Sequence, residues 1–197
     1  MFGQAVILHL CPALPRIRGA GRLVCVRQRP YLLEHEDLLP PPVQRRSMAK
    51  CARVKAAALE LFGDVGYENA SLETIAARAG VAVGGIYLLF RSKRQLLLVL
   101  MDELLGRMAS IDTTLHELGE PKAAIHHILA RAFETDLSYA GAYRAWTEAA
   151  RADRALGALD RRIRKWTSAR LFDLFNALHE SEQDRARTNV AESPTAN

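Results

Sequence analysis

Apolar residues recur at the spacing of an amphipathic helix along most of the chain after residue 48. The first such stretch runs from Lys50 to Phe62, and Gly66 stands where a left-handed residue would end a helix. Its apolar positions follow an i, i+3, i+4, i+7, i+8 pattern: Val54, Ala57, Ala58, Leu61 and Phe62. The pattern therefore predicts one helix with a single buried face.

Two short helices separated by a tight turn are predicted next. Ser71 is a good N-cap for the first of them, and Gly80 ends it. Residues 83–90 form the second, in which we expect Ile86 to pack inward and Tyr87 to project outward. Two short helices joined in this way have the geometry of a helix-turn-helix, whose second helix enters the major groove of DNA.

The rest of the chain keeps the helical pattern. Helices are predicted at about 93–118, 121–137, 142–153 and 153–178, with Pro121 at a favoured first position. Residues 180–197 are polar and are predicted to be a tail. The predicted fold is therefore all-α, with a three-helix head at 48–96 (helix-turn-helix at about 72–91), a helical body at 97–179 and the polar tail.

The first 47 residues differ from the remainder of the chain. They hold six of the eight prolines, and their apolar residues follow no sustained helical or strand spacing. We expect this extension to be largely irregular. It is interpreted either as disordered, or as an artefact of start choice with translation beginning at Met48, or as a basic arm that touches DNA phosphates.

Composition and charge limit the classes of protein to which this chain can belong. The 197 residues carry a net charge of +5, made up of +4 in residues 1–47, +3 in residues 48–96 and −2 in residues 97–197. No apolar run is long enough to span a bilayer, so no membrane partner is expected. Three scattered cysteines form neither a disulfide framework nor a metal-ligand pattern, which favours the cytoplasm.

The segment from about residue 49 to residue 97 resembles the DNA-binding domain of TetR-type transcriptional regulators. The string that carries the resemblance is AALELFGDVGYENASLETIAARAGVAVGGIYLLFRSKRQLL. The resemblance implies an all-α homodimeric repressor that binds double-stranded operator DNA and responds to a small-molecule effector. Transcriptional regulation in the cytoplasm is therefore expected, and no enzymatic activity.

The resemblance also implies roles for single residues at the DNA. Ser71 and Tyr87 would bind phosphates, Lys93 would add a cation at the start of the next helix, and the helix start around Val83–Gly85 would face base edges. The complete predicted DNA-binding set is Ser71, Ala82, Val83, Gly84, Gly85, Tyr87, Leu88, Arg91 and Lys93.

The predicted recognition helix departs from the family pattern at several positions. The family often has polar residues where this chain has Ala82, Val83, Gly85 and Leu88, so few side-chain donors are available to read bases. Contacts to thymine methyl groups and readout of DNA shape would then carry more of the specificity. The alternative function is a helical protein-interaction module whose degenerate helix-turn-helix no longer reads DNA.

The body is expected to hold the effector pocket and the dimer interface, the latter through residues 153–178. Aromatic and Met residues at helical spacing usually build cores, so core packing is the favoured alternative for every candidate pocket residue. The candidates are Met101, Leu105, Met108, Ile128, Phe133, Tyr143, Trp146 and Trp166. No cofactor is expected. No metal is expected either, because the adjacent His126 and His127 would point about 100° apart on a helix.

Overall fold

Helices make up most of the structure, a computed structural model that describes residues 29–34, 39, 42–110 and 121–191. These residues contain no strand, and the predicted all-α fold is confirmed. In chain order the described helices are α1 (Arg45–Asn69), α2 (Leu72–Ala79), α3 (Val83–Tyr87), α4 (Lys93–Ser110), α5 (Pro121–Ser138), α6 (Ala140–Ala152) and α7 (Arg154–Ala191).

Helix α1 is kinked at Gly66, which has a φ of 81°. A side chain there would also be crowded, because an added Cβ would lie 2.8 Å from Oε2 of Glu148 on α6. The positive φ expected at this glycine is therefore present. The helix does not end there, however, but resumes for a final turn to Asn69.

One hydrophobic core runs through the head and the body. It joins Phe62 of α1, Ile86 of α3, Leu97 of α4 and Trp146 of α6, all of which are buried. Helix α1 packs more extensively on α6 than on α2. The predicted boundary at residue 96 therefore lies within one continuous core.

Helix α4 links the head to the body and is buried on several sides. Four leucines that point in different directions around the helix are fully buried: Leu96, Leu97, Leu98 and Leu100. Neighbouring elements therefore cover this helix on more than one face. Within the described residues it ends at Ser110, and the predicted continuation to 118 lies outside them.

Part of the proline-rich extension packs on α4. The guanidinium of Arg29 donates to both carboxylate oxygens of Asp102, at 2.6 and 3.1 Å, and Leu32 is buried in the core. Residues 29–34 are irregular, as predicted for the extension, but they are anchored. Helix α1 also begins earlier than the predicted boundary at residue 48, at Arg45.

Helix α7 is longer than predicted. It spans 38 residues and continues to Ala191, whereas the pattern predicted an end near residue 178 and a tail from residue 180. The apolar period stops at 178, but the polar residues that follow include Glu, Gln, Arg and Ala, which all favour helix. Among the described residues, no helix combines the length and apolarity needed to cross a bilayer.

Candidate nucleic-acid interface

Helix α2 is capped at both ends, and its C-terminal cap begins the turn into α3. The Ser71 hydroxyl accepts the backbone N–H of Thr74 at 3.1 Å, and the Thr74 hydroxyl accepts that of Ser71 at 2.9 Å, so two free donors at the start of α2 are satisfied. Gly80 ends α2 in the left-handed conformation, with φ 61° and ψ 42°. This turn lets α3 start only three residues later, at Val83.

Helix α3 is a single short turn anchored by one side chain. Ile86 is fully buried, whereas Val83 and Tyr87 are each 45% exposed and Leu88, just after the helix, is 77% exposed. Gly84 is also exposed, and a Cβ added to it would have nothing within 4 Å. The helix therefore presents an open, mainly apolar surface on a firmly packed base.

Tyr87 is already engaged within the protein. Its hydroxyl donates to Oε1 of Glu73 on α2 at 2.8 Å. This hydrogen bond lowers the pKa of Glu73 below its ordinary value and raises the pKa of Tyr87 above its own. A phosphate contact by this hydroxyl would therefore require it to leave the carboxylate.

Lys93 has a structural role that the sequence did not reveal. Its ammonium donates to the carbonyl oxygens of Tyr67 at 2.6 Å and Ala70 at 2.8 Å, with Glu68 at 3.3 Å, and lies 4.3 Å from the ring centre of Tyr67. Those carbonyls belong to the end of α1, where helix carbonyls lack partners. The phosphate role of Lys93 stays a prediction, and the structure assigns its donors to this cap.

The remaining predicted DNA contacts lie around α3. Ala82 is the exposed residue that precedes α3, and Arg91 is exposed after it. The backbone N–H of Arg91 donates to Oε1 of Gln95 at 2.8 Å, while the Ser92 hydroxyl accepts the Gln95 N–H at 3.1 Å. The two bonds cap the start of α4.

The candidate effector residues divide into two groups. Phe133 is 67% exposed and Tyr143 is 57% exposed, which does not fit a role as walls of an enclosed pocket. Five others are buried and one, Met108, is half-buried against them: Met101, Leu105, Ile128, Trp146 and Trp166. Burial of this kind equally fits core packing, so their effector role stays a prediction.

A groove of about 370 Å³ lies elsewhere, between the start of α1 and α3. Its lining includes Ser47 and Lys50 from α1, together with Gly85, Leu88 and Leu89. Sequence reasoning missed this groove, because it depends on how α1 crosses α3.

A carboxylate of α6 was also missed. Both oxygens of Glu148 accept backbone N–H groups at the end of α1, from Tyr67 at 2.8 Å and from Glu68 at 3.0 Å. These two hydrogen bonds lower the pKa of Glu148, with the Tyr67 bond the larger cause. No local signal marks this residue, since its partners lie about eighty positions away along the chain.

Helix α2, the tight turn at Gly80 and the exposed short helix α3, anchored by the buried Ile86, form a helix-turn-helix. Comparison with known proteins specifies the type: residues 55–100 match the family described as bacterial regulatory proteins, tetR family. The resemblance stated from the sequence is therefore confirmed over these residues.

Two relatives extend the comparison. The chain is 35% identical over 63 residues to the fatty acid metabolism regulator protein of Bacillus subtilis (strain 168), a match that covers 32% of this chain and 32% of that protein. The chain therefore spans about a third of that relative's length. It also aligns with the structure of the fatty acid degradation regulator FadR from Bacillus halodurans, at 19% identity, over 70% of each chain and with a TM-score of 0.52. This structural match shows that the two proteins share a fold.

Proposed function

We propose that the protein is a ligand-responsive transcriptional repressor that binds pseudo-palindromic operator DNA as a homodimer and is released by a small effector. The observation that carries the proposal is the surface of α3, where Val83, Tyr87 and Leu88 are exposed around the buried anchor Ile86. Such a surface suits insertion into a major groove.

The proposed contacts combine shape and apolar readout. Val83 and Leu88 would meet thymine methyl groups, and the glycines at 84 and 85 would let the backbone approach the DNA closely. Around them, Ser71, Tyr87 and Arg91 would bind phosphates. Because few polar groups face the bases, we expect specificity to depend strongly on A·T content and on DNA deformability.

The effector would act through the shared core. Helix α6 contacts the end of α1 through Glu148, and α4 contacts the same turn through Lys93. A ligand that moves either helix would therefore reposition the head, so that the DNA-competent state loses population. Since the names of both relatives refer to fatty acid metabolism or degradation, we propose fatty acids as the first effector class to test.

Selection of bound duplexes from a random pool tests the DNA-binding proposal. A palindromic consensus with half-sites about one helical turn apart, roughly 34–36 Å, is expected for a dimer. Recovery of no consensus would contradict sequence-specific binding and would favour the alternative, a protein-interaction module with an apolar α3. Titration of fatty acids into the complex of the protein with the consensus duplex then tests whether the effector releases the DNA. An unchanged affinity of the protein for the duplex would exclude fatty acids as the effector class.

A further inference from the structure

The first turns of α1 carry three cations on one face. Arg46, Lys50 and Arg53 stand at i, i+4 and i+7, a spacing that places side chains along the same side of a helix. We call this set the basic stripe. Arg46 and Arg53 are exposed, and Lys50 is half-buried.

The basic stripe lies against the helix-turn-helix. The Lys50 ammonium is 3.6 Å, and its Cδ 3.9 Å, from the point that a Cβ on Gly85 of α3 would occupy. The Arg53 guanidinium is 3.9 Å from the corresponding point at Gly80, in the turn between α2 and α3. Lys50 and Arg53 therefore lie at the edge of the surface that α3 presents.

The ammonium and guanidinium groups of the stripe are not neutralised within the described part of the chain, where no hydrogen bond or ion pair of Arg46, Lys50 or Arg53 is found. Other cations of the head are engaged: Arg78 pairs with Asp64 at 3.2 Å, and Lys93 caps α1. Helix α3 itself, with the sequence VGGIY, carries no charge. The basic stripe therefore offers positive charge beside α3 that is still available to an anion.

We propose that the basic stripe binds the phosphodiester backbone of double-stranded DNA beside the groove that α3 enters. The proposal rests on the proposed function and adds phosphate contacts from α1 to those proposed for residues 71, 87 and 91. A double-stranded backbone fits because the stripe runs beside a helix exposed for groove insertion, and each cation that binds a phosphate releases counterions.

Fluorescence anisotropy with a labelled random-sequence duplex of about 30 base pairs, roughly three helical turns, tests the stripe without a known operator. We expect the Arg46→Gln/Lys50→Gln/Arg53→Gln variant to bind at least tenfold more weakly at about 50 mM salt. The slope of log K against log salt should also become shallower by roughly 2 to 3, because each phosphate that a cation neutralises adds about 0.9 to it.

The matched control is Arg131→Gln/Arg151→Gln/Arg187→Gln, which removes the same charge from exposed positions on α5, α6 and the end of α7, outside the head and outside residues 153–178. We expect this variant to keep the wild-type slope, and circular dichroism should show both variants folded. Equal losses of affinity in the two variants would overturn the proposal, because they would show a net-charge effect. An unchanged slope in the stripe variant, or no binding of this duplex by the wild type, would overturn it too.

The two proposals fail in different ways. If the wild type binds the random duplex through the stripe but the selection yields no consensus, the repressor proposal fails and the stripe stands. If the selection yields a consensus but the stripe variant keeps its salt slope, the stripe fails and the repressor proposal stands.

Discussion

A Cβ atom on Gly141 would lie 1.8 Å from the carbonyl oxygen of Leu59, on the facing backbone of α1. Backbone atoms cannot move aside as a flexible side chain can, so Gly141→Ala would push α6 away from α1. We expect the free energy of unfolding to fall by about 3 kcal/mol, at the upper end of the range for overpacking. Urea unfolding followed by circular dichroism measures it.

Gly106 provides the matched control for that substitution. It lies within α4, and an added Cβ would have nothing within 4 Å. Gly106→Ala should therefore stabilise the protein by about 0.5–1 kcal/mol, the usual gain in a helix. Equal urea midpoints for the two variants would show that α1 and α6 do not approach each other as described.

Lys93 allows the structural role and the phosphate role to be separated. Because its ammonium donates to several carbonyls at the end of α1, Lys93→Gln should lower the free energy of unfolding by about 1–3 kcal/mol. The salt dependence of duplex binding should stay as in the wild type. A shallower slope with unchanged stability would instead establish Lys93 as the phosphate anchor that the family resemblance implies.

At the scale of elements, the last turn of α1 is held from two sides. Glu148 of α6 accepts its N–H groups and Lys93 of α4 donates to its carbonyls. This turn is therefore the place where a displacement of either body helix reaches the head.

The Glu148 contact predicts a pH dependence. The backbone donors hold the pKa of this carboxyl below its value in the unfolded chain, so its stabilising effect is present at neutral pH and is lost as the pH falls through the folded pKa. Glu148→Gln should therefore unfold more easily than the wild type at neutral pH. The difference should shrink as the pH falls below 4.5, the ordinary value for this group.

Thermal unfolding at a series of pH values measures this difference, with Glu134→Gln on α5 as the control. Glu134 is exposed, and we expect its substitution to have little effect at any pH. A difference between wild type and Glu148→Gln that stays constant with pH would contradict the role of the carboxylate charge.

Local features of the elements could be predicted from the sequence, and contacts between them could not. The Ser71 cap, the left-handed Gly80 and the buried Ile86 follow from residue type and spacing within a few positions. The partners of Lys93 lie 23 to 26 residues away, and Arg29 meets Asp102 across 73 residues. A single sequence carries no signal for such distant pairs, so neither the cap on α1 nor the anchored extension could be predicted.

At the scale of the whole molecule, net charge differs between the head and the body. Residues 48–96 carry +3 and residues 97–197 carry −2, which suits a head that meets phosphate and a body that does not. The body in turn exposes large apolar side chains on α7 at Leu171, Phe172 and Phe175. Exposed apolar clusters of this kind mark contact surfaces in many proteins.

The proposed dimer uses this surface of α7, and one pair of substitutions tests it. Phe172 and Phe133 have the same side chain and the same exposure, 67%, but lie on α7 and α5 respectively. We expect Phe172→Ser to convert the dimer to a monomer in light scattering and to abolish cooperative binding to a two-half-site duplex, because a symmetric interface contains the substituted residue twice. Phe133→Ser should leave the dimer intact. A monomer produced by Phe133→Ser alone would place the interface on α5, and a wild-type protein that is monomeric at all concentrations would exclude the dimer.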